Sequence, residues 1–137
     1  KKYPLIMITG ARSSLFFHSE HRMIPWLREK ASDPIVEIHP ENAKKYGIYD
    51  GEWIYIRNDM GKVKRKARLT IKVKPGHIQT LHGWWMPEMR GPEPDLFGVW
   101  DYQINQLIHA PQCSKAGFGG GQYKTTLVTL EKLTATR

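Results

Sequence analysis

The sequence predicts a mainly β fold, a closed barrel of about six short strands accompanied by two or three short helices. Two observations support this prediction. Short runs that are apolar, or that alternate between apolar and polar residues, recur along the chain, and each predicts a strand. Tight turns separate these runs, which favours a closed barrel over a doubly wound α/β sheet. The length of 137 residues suits a single domain.

The first half of the chain predicts two strands and a well-delimited helix. Residues 5–8 are apolar and end at a glycine, which indicates a buried strand that enters a loop, and residues 35–38 form a second such run. Residues 15–30 are partly helical by pattern, and we expect Pro25 to interrupt that helix. Residues 40–47 begin with Pro, carry Lys late and end at Gly, which predicts a short helix.

The middle of the chain predicts three strands. Residues 52–58 and residues 62–70 both alternate, and a tight reversal at residues 59–61 joins them. Arg65 breaks the apolar face of the second of these strands, which suggests a strand end or a bulge. Residues 77–81 form another short strand after a Pro-Gly turn.

The last third predicts a long loop, a short helix and a final strand. Residues 82–101 show no period, but their four Trp and Phe side chains indicate that the loop packs against something. Residues 102–109 are compatible with a short helix, residues 116–121 are rich in glycine, and residues 123–133 alternate as a strand.

Charge points to an anionic partner, although the excess is local. The net charge is +8, which favours nucleic acid, anionic lipid or a phosphorylated ligand. Seven lysines and arginines and no acid lie between residues 62 and 74, and we name this segment the basic run. It predicts either solvated strands whose outer lysines discourage edge aggregation, or a docking surface for another domain or protein.

Other features exclude several classes of protein. One cysteine, Cys113, rules out an intramolecular disulfide and a Cys₄ zinc or iron–sulfur site within the chain. No apolar stretch is long enough to predict a membrane span, and the N-terminus lacks a signal-peptide cleavage pattern. The absence of an initiator Met fits a fragment excised from a larger protein, and processing would give the same N-terminus.

Three segments carry side chains suited to binding. The loop Thr9-Gly10-Ala11-Arg12-Ser13-Ser14 combines backbone access at glycine with hydroxyl and guanidinium donors for phosphate or guanine. His18 and His21 have the spacing of a metal pair, but no further ligand follows, so a packing role or a hydrogen bond from His18 to a ligand is preferred. The glycine run before Gln122 fits either backbone contacts to a ligand or a flexible connection.

The sequence offers no catalytic constellation. It contains no nucleophile elbow and no P-loop, and the pair of Cys113 with His109 has no supporting residue around it. We therefore predict a chain that binds a ligand, with no catalytic residues and no metal ligands of its own.

The order of these motifs resembles the C-terminal molybdopterin-dinucleotide-binding domain of the dimethyl sulfoxide reductase family. The resemblance covers nearly the whole chain, and its most specific part is the block at residues 36–52. The motifs that carry it are Thr9-Gly10-Ala11-Arg12, Phe17-His18-Ser19, Pro40-Glu41-Asn42-Ala43 with Tyr46-Gly47-Ile48 and Asp50-Gly51-Glu52, Pro75-Gly76, Asn105-Gln106-Leu107 and Tyr123-Lys124.

The resemblance implies a six-stranded double-psi β-barrel that binds molybdopterin guanine dinucleotide. The implied contacts are Thr9, Gly10, Arg12, Ser13 and Ser14 along one dinucleotide, His18 near the pterin, and Asn105, Gln122, Tyr123 and Lys124 from the other side. The metal, molybdenum or tungsten, would be held through the cofactor and ligated from another domain. The parent would be an oxidoreductase similar to thiosulfate or polysulfide reductases or formate dehydrogenases, in prokaryotic cytoplasm or periplasm. The partners would be the other domains of the parent and an iron–sulfur subunit, with no nucleic acid and no direct membrane insertion. Residues 1–137 would form a single domain that is not catalytic alone.

The chain departs from the family pattern in two places. Residues 109–115 contain no acid where the family often has Asp, and residues 119–121 are richer in glycine than expected. The stretch at residues 83–88 resembles the thiosulfate and polysulfide reductases or acetylene hydratase. Two rivals stay open: a basic β-barrel that binds single-stranded nucleic acid or another protein, and a small enzyme related to aspartate decarboxylase.

Overall fold

The computed structural model describes residues 1–109, 121 and 123–133. Gln122, which the resemblance assigns to the cofactor, lies outside the described residues, as do Cys113 and most of the glycine run.

Six strands and three short helices make up the described part of the chain. The strands are β1 (Leu5–Ile8), β2 (Ile35–Ile38), β3 (Trp53–Asn58), β4 (Gly61–Leu69), β5 (His77–Thr80) and β6 (Thr126–Lys132). The helices are α1 (Pro25–Lys30), α2 (Pro40–Tyr46) and α3 (Val99–Tyr102), with 3₁₀ turns at Leu96–Gly98 and Ile104–Leu107. None of the helices described is long and apolar enough to cross a bilayer.

The strands close into a barrel in the order β1-β5-β2-β4-β3-β6, with β6 returning to β1. The pairs β1–β5 and β2–β4 are parallel, and the other four pairs are antiparallel. Consecutive strands run in opposite directions, so each parallel pair joins strands that are separated in sequence by an odd number of strands, one between β2 and β4 and three between β1 and β5. The predicted fold class, a mainly β six-stranded barrel with short helices, is confirmed.

Alternating side chains from each strand fill the barrel, as the period of two requires. Ile54 and Ile56 of β3 are fully buried, whereas Trp53 and Tyr55 lie on the other face, as predicted. The core is completed by the inward residues of the other strands and by four helical or loop residues, which together are Leu5, Met7, Val36, Ile38, Ala43, Ile48, Val63, Ala67, Ile78, Ile104, Leu107, Val128 and Leu130.

Helix α2 begins and ends where the sequence predicts. Pro40 occupies the first turn, and Gly47 adopts the left-handed conformation (φ 63°) that ends the helix. The side chain of Asn42 is buried and bonds to the turn that precedes β5. Its Nδ2 donates to the carbonyl of His77 (3.2 Å), and its Oδ1 accepts from the amide of Gly76 (3.1 Å). Asn42 thus ties α2 to the turn before β5.

The structure corrects three predictions. Pro25 begins α1 instead of interrupting a helix, because a proline at the first helical position has no amide hydrogen bond to lose. The predicted helix at residues 102–109 is mainly a 3₁₀ turn at Ile104–Leu107, and α3 begins in the predicted loop and ends at Tyr102. Arg65 lies inside β4, paired with Ile54, and its side chain is buried. Within β4, Gly61–Lys66 pair with β3 and Lys66–Leu69 pair with β2.

Candidate functional site

A groove of about 420 Å³ opens at one end of the barrel, where the sequence placed its candidate residues. Its volume falls in the range of about 300–1,000 Å³ that is usual for small-molecule sites. The lining comes from five segments: the end of β1 with the loop that follows it, the segment before α1, the residues just after β5, the second 3₁₀ turn and the residues just before β6. The lining residues are Thr9, Gly10, Arg12, His18, His82, Asn105, Tyr123 and Lys124.

Hydrogen bonds to Thr9 join the two ends of the chain at the groove. The amide of Thr9 donates to the carbonyl of Tyr123 (2.8 Å), and its buried hydroxyl lies 3.3 Å from the same oxygen. This contact carries Lys124 to the start of the loop after β1, where its Cε would lie 3.8 Å from a Cβ built on Gly10. Residues that are more than a hundred positions apart in the sequence therefore face one groove.

The groove is electropositive. Arg12 and Lys124 are both exposed, and none of the eight described lining residues is acidic. A concave surface lined by one sign of charge concentrates anions, and a guanidinium matches phosphate oxygens in pairs. The groove is therefore suited to a phosphorylated ligand.

Two of the predicted loop residues face a neighbouring depression. Ser13 and Ser14 line a concavity of about 300 Å³ together with Gln79 and the ion pair between Arg68 and Glu37 (2.7 Å). Arg12 lines both this concavity and the groove. The Ser13 hydroxyl also accepts a hydrogen bond from the amide of Leu15 (3.0 Å), which shapes the loop. The loop thus separates two adjacent cavities.

The imidazole rings of His18 and His82 form a pair that lines the groove. Nδ1 of His18 lies 2.7 Å from Nε2 of His82, and Nδ1 of His82 lies 3.3 Å from the carbonyl oxygen of Thr9. His18 adopts the left-handed backbone conformation (φ 52°), which is uncommon outside glycine. The structure therefore holds His18 in an unusual conformation next to a second histidine.

Beneath the two histidines lies a buried arginine. Nε of Arg22 donates to the carbonyl of Gly83 (2.7 Å), and its Nη2 reaches the carbonyls of His18 (3.1 Å) and His82 (3.4 Å). The guanidinium also stacks on Trp84, with its carbon 3.9 Å from the ring centroid. Burial, with a smaller contribution from the charge of Arg28, lowers the pKa of Arg22 to about 10.

A second buried arginine completes this framework. Arg65 donates from Nε to the hydroxyl of Thr80 (2.9 Å) and from Nη2 to the carbonyl of Leu81 (3.2 Å). Burial, followed by the charge of Arg22, lowers the pKa of Arg65 to about 9. No described carboxylate forms an ion pair with either guanidinium, so backbone carbonyls and one hydroxyl supply most of their acceptors.

The basic run is largely engaged within the molecule. Lys64, Lys66 and Arg68 form ion pairs with Asp101 (3.5 Å), Asp33 (2.8 Å) and Glu37 (2.7 Å), and Arg65 is buried. The exposed positive charge that faces the groove lies instead at Arg12 and Lys124.

The metal alternative considered for His18 and His21 has no structural support in the part of the chain described here. Across residues 1–109, 121 and 123–133, no three His, Cys, Asp or Glu side chains gather closely enough to hold a metal ion. His18 instead pairs with His82.

Sequence reasoning missed His82 and Arg22. His82 was placed within a long loop without period, and Arg22 within a segment of mixed charge. The one hint in the sequence was the glycine that follows His82. In the structure Gly83 has a positive φ (71°), and a Cβ there would lie 2.8 Å from the carbonyl carbon of His18. A sequence pattern does not reveal that contact, which spans more than sixty residues.

Known proteins resemble this chain both in sequence and in fold. A family model described as "Molydopterin dinucleotide binding domain" matches residues 5–127. The chain is 44% identical over 109 residues to a dopamine dehydroxylase of Eggerthella lenta, covering 79% of this chain and 10% of that protein. It is 34% identical over 100 residues to an acetylene hydratase of Syntrophotalea acetylenica, covering 72% of this chain and 14% of that protein. The solved acetylene hydratase from Pelobacter acetylenicus superposes with a TM-score of 0.85 at 26% identity, over 95% of this chain and 18% of that one.

Proposed function

The chain belongs to the molybdopterin-dinucleotide-binding domain family of the dimethyl sulfoxide reductase type, and we propose that the groove holds its cofactor, molybdopterin guanine dinucleotide. The resemblance that the sequence motifs indicated is confirmed, and so is the dinucleotide cofactor. Which residues contact the cofactor is our proposal.

One observation supports this location above the others. Seven of the residues that the motifs singled out come from distant parts of the chain and line one groove, namely Thr9, Gly10, Arg12, His18, Asn105, Tyr123 and Lys124. Residues that merely shape turns have no reason to converge in this way. Ser13 and Ser14 would extend the contact into the neighbouring concavity.

The donor set fits a dinucleotide. Arg12 and Lys124 would bind the pyrophosphate oxygens, and the exposed Gly10 allows a ligand to approach the backbone closely. The side-chain carboxamide of Asn105 offers both a donor and an acceptor for a guanine or pterin edge. The bound group would supply the metal–dithiolene redox centre, while these residues bind and orient it.

The parent protein is proposed to be a large oxidoreductase. The chain spans 10% and 14% of the length of the two curated relatives described above, so the metal ligand would come from another domain. An iron–sulfur subunit is a further proposed partner. The relatives are named as a dehydroxylase, a hydratase and a dimethyl sulfoxide reductase, which suggests that domains other than this one select the substrate.

An NMR titration of the ¹⁵N-labelled chain with GDP, which carries the guanine and pyrophosphate of the cofactor, tests the proposal. Shifts should concentrate at Gly10, Arg12, Asn105 and Lys124. Because a hydrogen bond to a charged group contributes about 1.5–3 kcal/mol, Arg12→Ala should weaken binding about tenfold or more.

The matched control is Lys72→Ala, which removes an exposed cation from the basic run outside the groove. Equal losses for Arg12→Ala and Lys72→Ala would indicate non-specific anion binding and would contradict the proposed site. A salt-dependent shift of the basic run with single-stranded oligonucleotide, larger than any produced by GDP, would support the nucleic-acid rival instead.

A further inference from the structure

We infer that Arg22 is a positioning residue for the groove: it holds the backbone of His18 and His82 so that the paired imidazoles present one hydrogen-bond acceptor, Nε2 of His18, to the ligand. This inference deepens the proposed function and rests on it for the identity of the ligand. The geometry that supports it lies wholly within the described residues.

The contact between His82 and Thr9 determines which nitrogens of the histidine pair donate and which accept. The carbonyl oxygen of Thr9 only accepts, so Nδ1 of His82 must donate to it. A neutral imidazole carries one N–H, and Nε2 of His82 is therefore an acceptor. Nδ1 of His18, 2.7 Å away, must donate to that nitrogen. Nε2 of His18 is left without a proton, as an acceptor for a ligand in the groove that His18 lines.

Arg22 fixes the backbone on both sides of this pair. Its guanidinium reaches the carbonyls of His18, His82 and Gly83, which join two segments more than sixty residues apart. The rings of Phe16 and Trp84 lie against it, with centroids 4.5 Å and 3.9 Å from the guanidinium carbon. A planar group held by rings and by several fixed acceptors has little freedom to move, so the two histidine backbones keep a constant separation.

Gly83 provides a second, independent constraint. A Cβ at Gly83 would lie 2.8 Å from the carbonyl carbon of His18, 2.9 Å from its oxygen and 2.9 Å from the amide nitrogen of Ser19. The two backbone segments therefore touch where no side chain is present. His18 itself has a positive φ (52°), which the contact with Gly83 and the hydrogen bond from Arg22 together maintain.

An acceptor at this end of the groove selects a donor on the ligand. Phosphate oxygens also accept and gain nothing from a neutral His18, so they remain with Arg12 and Lys124. An N–H of a heterocycle satisfies Nε2 of His18. The histidine pair would thus orient a dinucleotide by distinguishing its heterocyclic end from its phosphates.

Long-range ¹H–¹⁵N spectra of the ¹⁵N-histidine-labelled chain report the tautomer of each ring directly. At alkaline pH, where imidazole is neutral, we expect both His18 and His82 to be protonated at Nδ1. Arg22→Met should lose this signature, and both rings should revert to the Nε2–H form that free histidine prefers. Arg22→Lys keeps the charge but lacks the planar fork, and Gly83→Ala displaces His18, so both should also lose it.

The matched control is Arg28→Met, which removes another arginine close to Trp84 without touching either histidine backbone. The control should keep both Nδ1–H tautomers. If Arg22→Met does not fold, Arg22→Lys and Gly83→Ala decide the matter. Folded variants at both positions that retain the wild-type tautomers would refute the positioning role. The measurement needs no ligand, so a failure of GDP to bind would count against the proposed function alone.

Discussion

The hydroxyl of Thr80 offers the sharpest test of how the buried cations are held. It accepts a hydrogen bond from Nε of Arg65 (2.9 Å) and donates one to the carbonyl of Ile35 (2.8 Å). Thr80 and Arg65 are both buried, so water does not replace either bond. Substituting Thr80→Val keeps the shape of the side chain and replaces the hydroxyl with a methyl group.

The expected loss has two parts. Losing the bond to the Ile35 carbonyl should cost about 1 kcal/mol, the usual net contribution of a neutral hydrogen bond. Leaving Nε of the buried guanidinium without an acceptor should cost about 2 kcal/mol more, within the range for charged groups. The free energy of unfolding, measured by urea denaturation, should therefore fall by about 3 kcal/mol.

A double-mutant cycle separates these parts. In an Arg65→Met background the second part disappears, so Thr80→Val should cost only about 1 kcal/mol and the coupling should be about 2 kcal/mol. Thr80→Ser, which keeps the hydroxyl, is the control and should cost less than Thr80→Val. Equal costs of Thr80→Val in both backgrounds would show that Arg65 does not depend on this acceptor, and the reasoning would be wrong.

Two further predictions concern the ends of the barrel. Asn42→Ala removes both buried hydrogen bonds to the turn before β5 and should lower the free energy of unfolding by about 2 kcal/mol, whereas Lys45→Ala on the exposed face of the same helix should change it by less than about 0.5 kcal/mol. Hydrogen bonds from Lys2 and Tyr3 lower the pKa of the Asp59 carboxyl, so its contribution to stability is present above the unfolded pKa and lost as pH falls through the native pKa. Tyr3→Phe should raise that pKa toward its ordinary value in a ¹³C carboxyl titration; no rise would mean that the hydroxyl does not stabilise the carboxylate.

Local patterns predicted most of the fold because their causes are local. The alternation of β3 follows from the pleat of a strand, and the limits of α2 follow from Pro40 and Gly47. Pro25 was misread for a related reason: the same residue begins one helix and breaks another, and only its position in the helix decides which.

The sequence by itself determined the strands, the turns, the polar loop after β1 and, through their order, the family. Only the tertiary structure decided that Lys124 meets Gly10, that His82 pairs with His18, and that Arg65 points into the barrel. The physical reason is the closure of the barrel, which brings segments together that share no local pattern. A buried arginine needs acceptors for its hydrogen bonds, and here carbonyls from distant parts of the chain supply most of them. The sequence does not show where those carbonyls will lie.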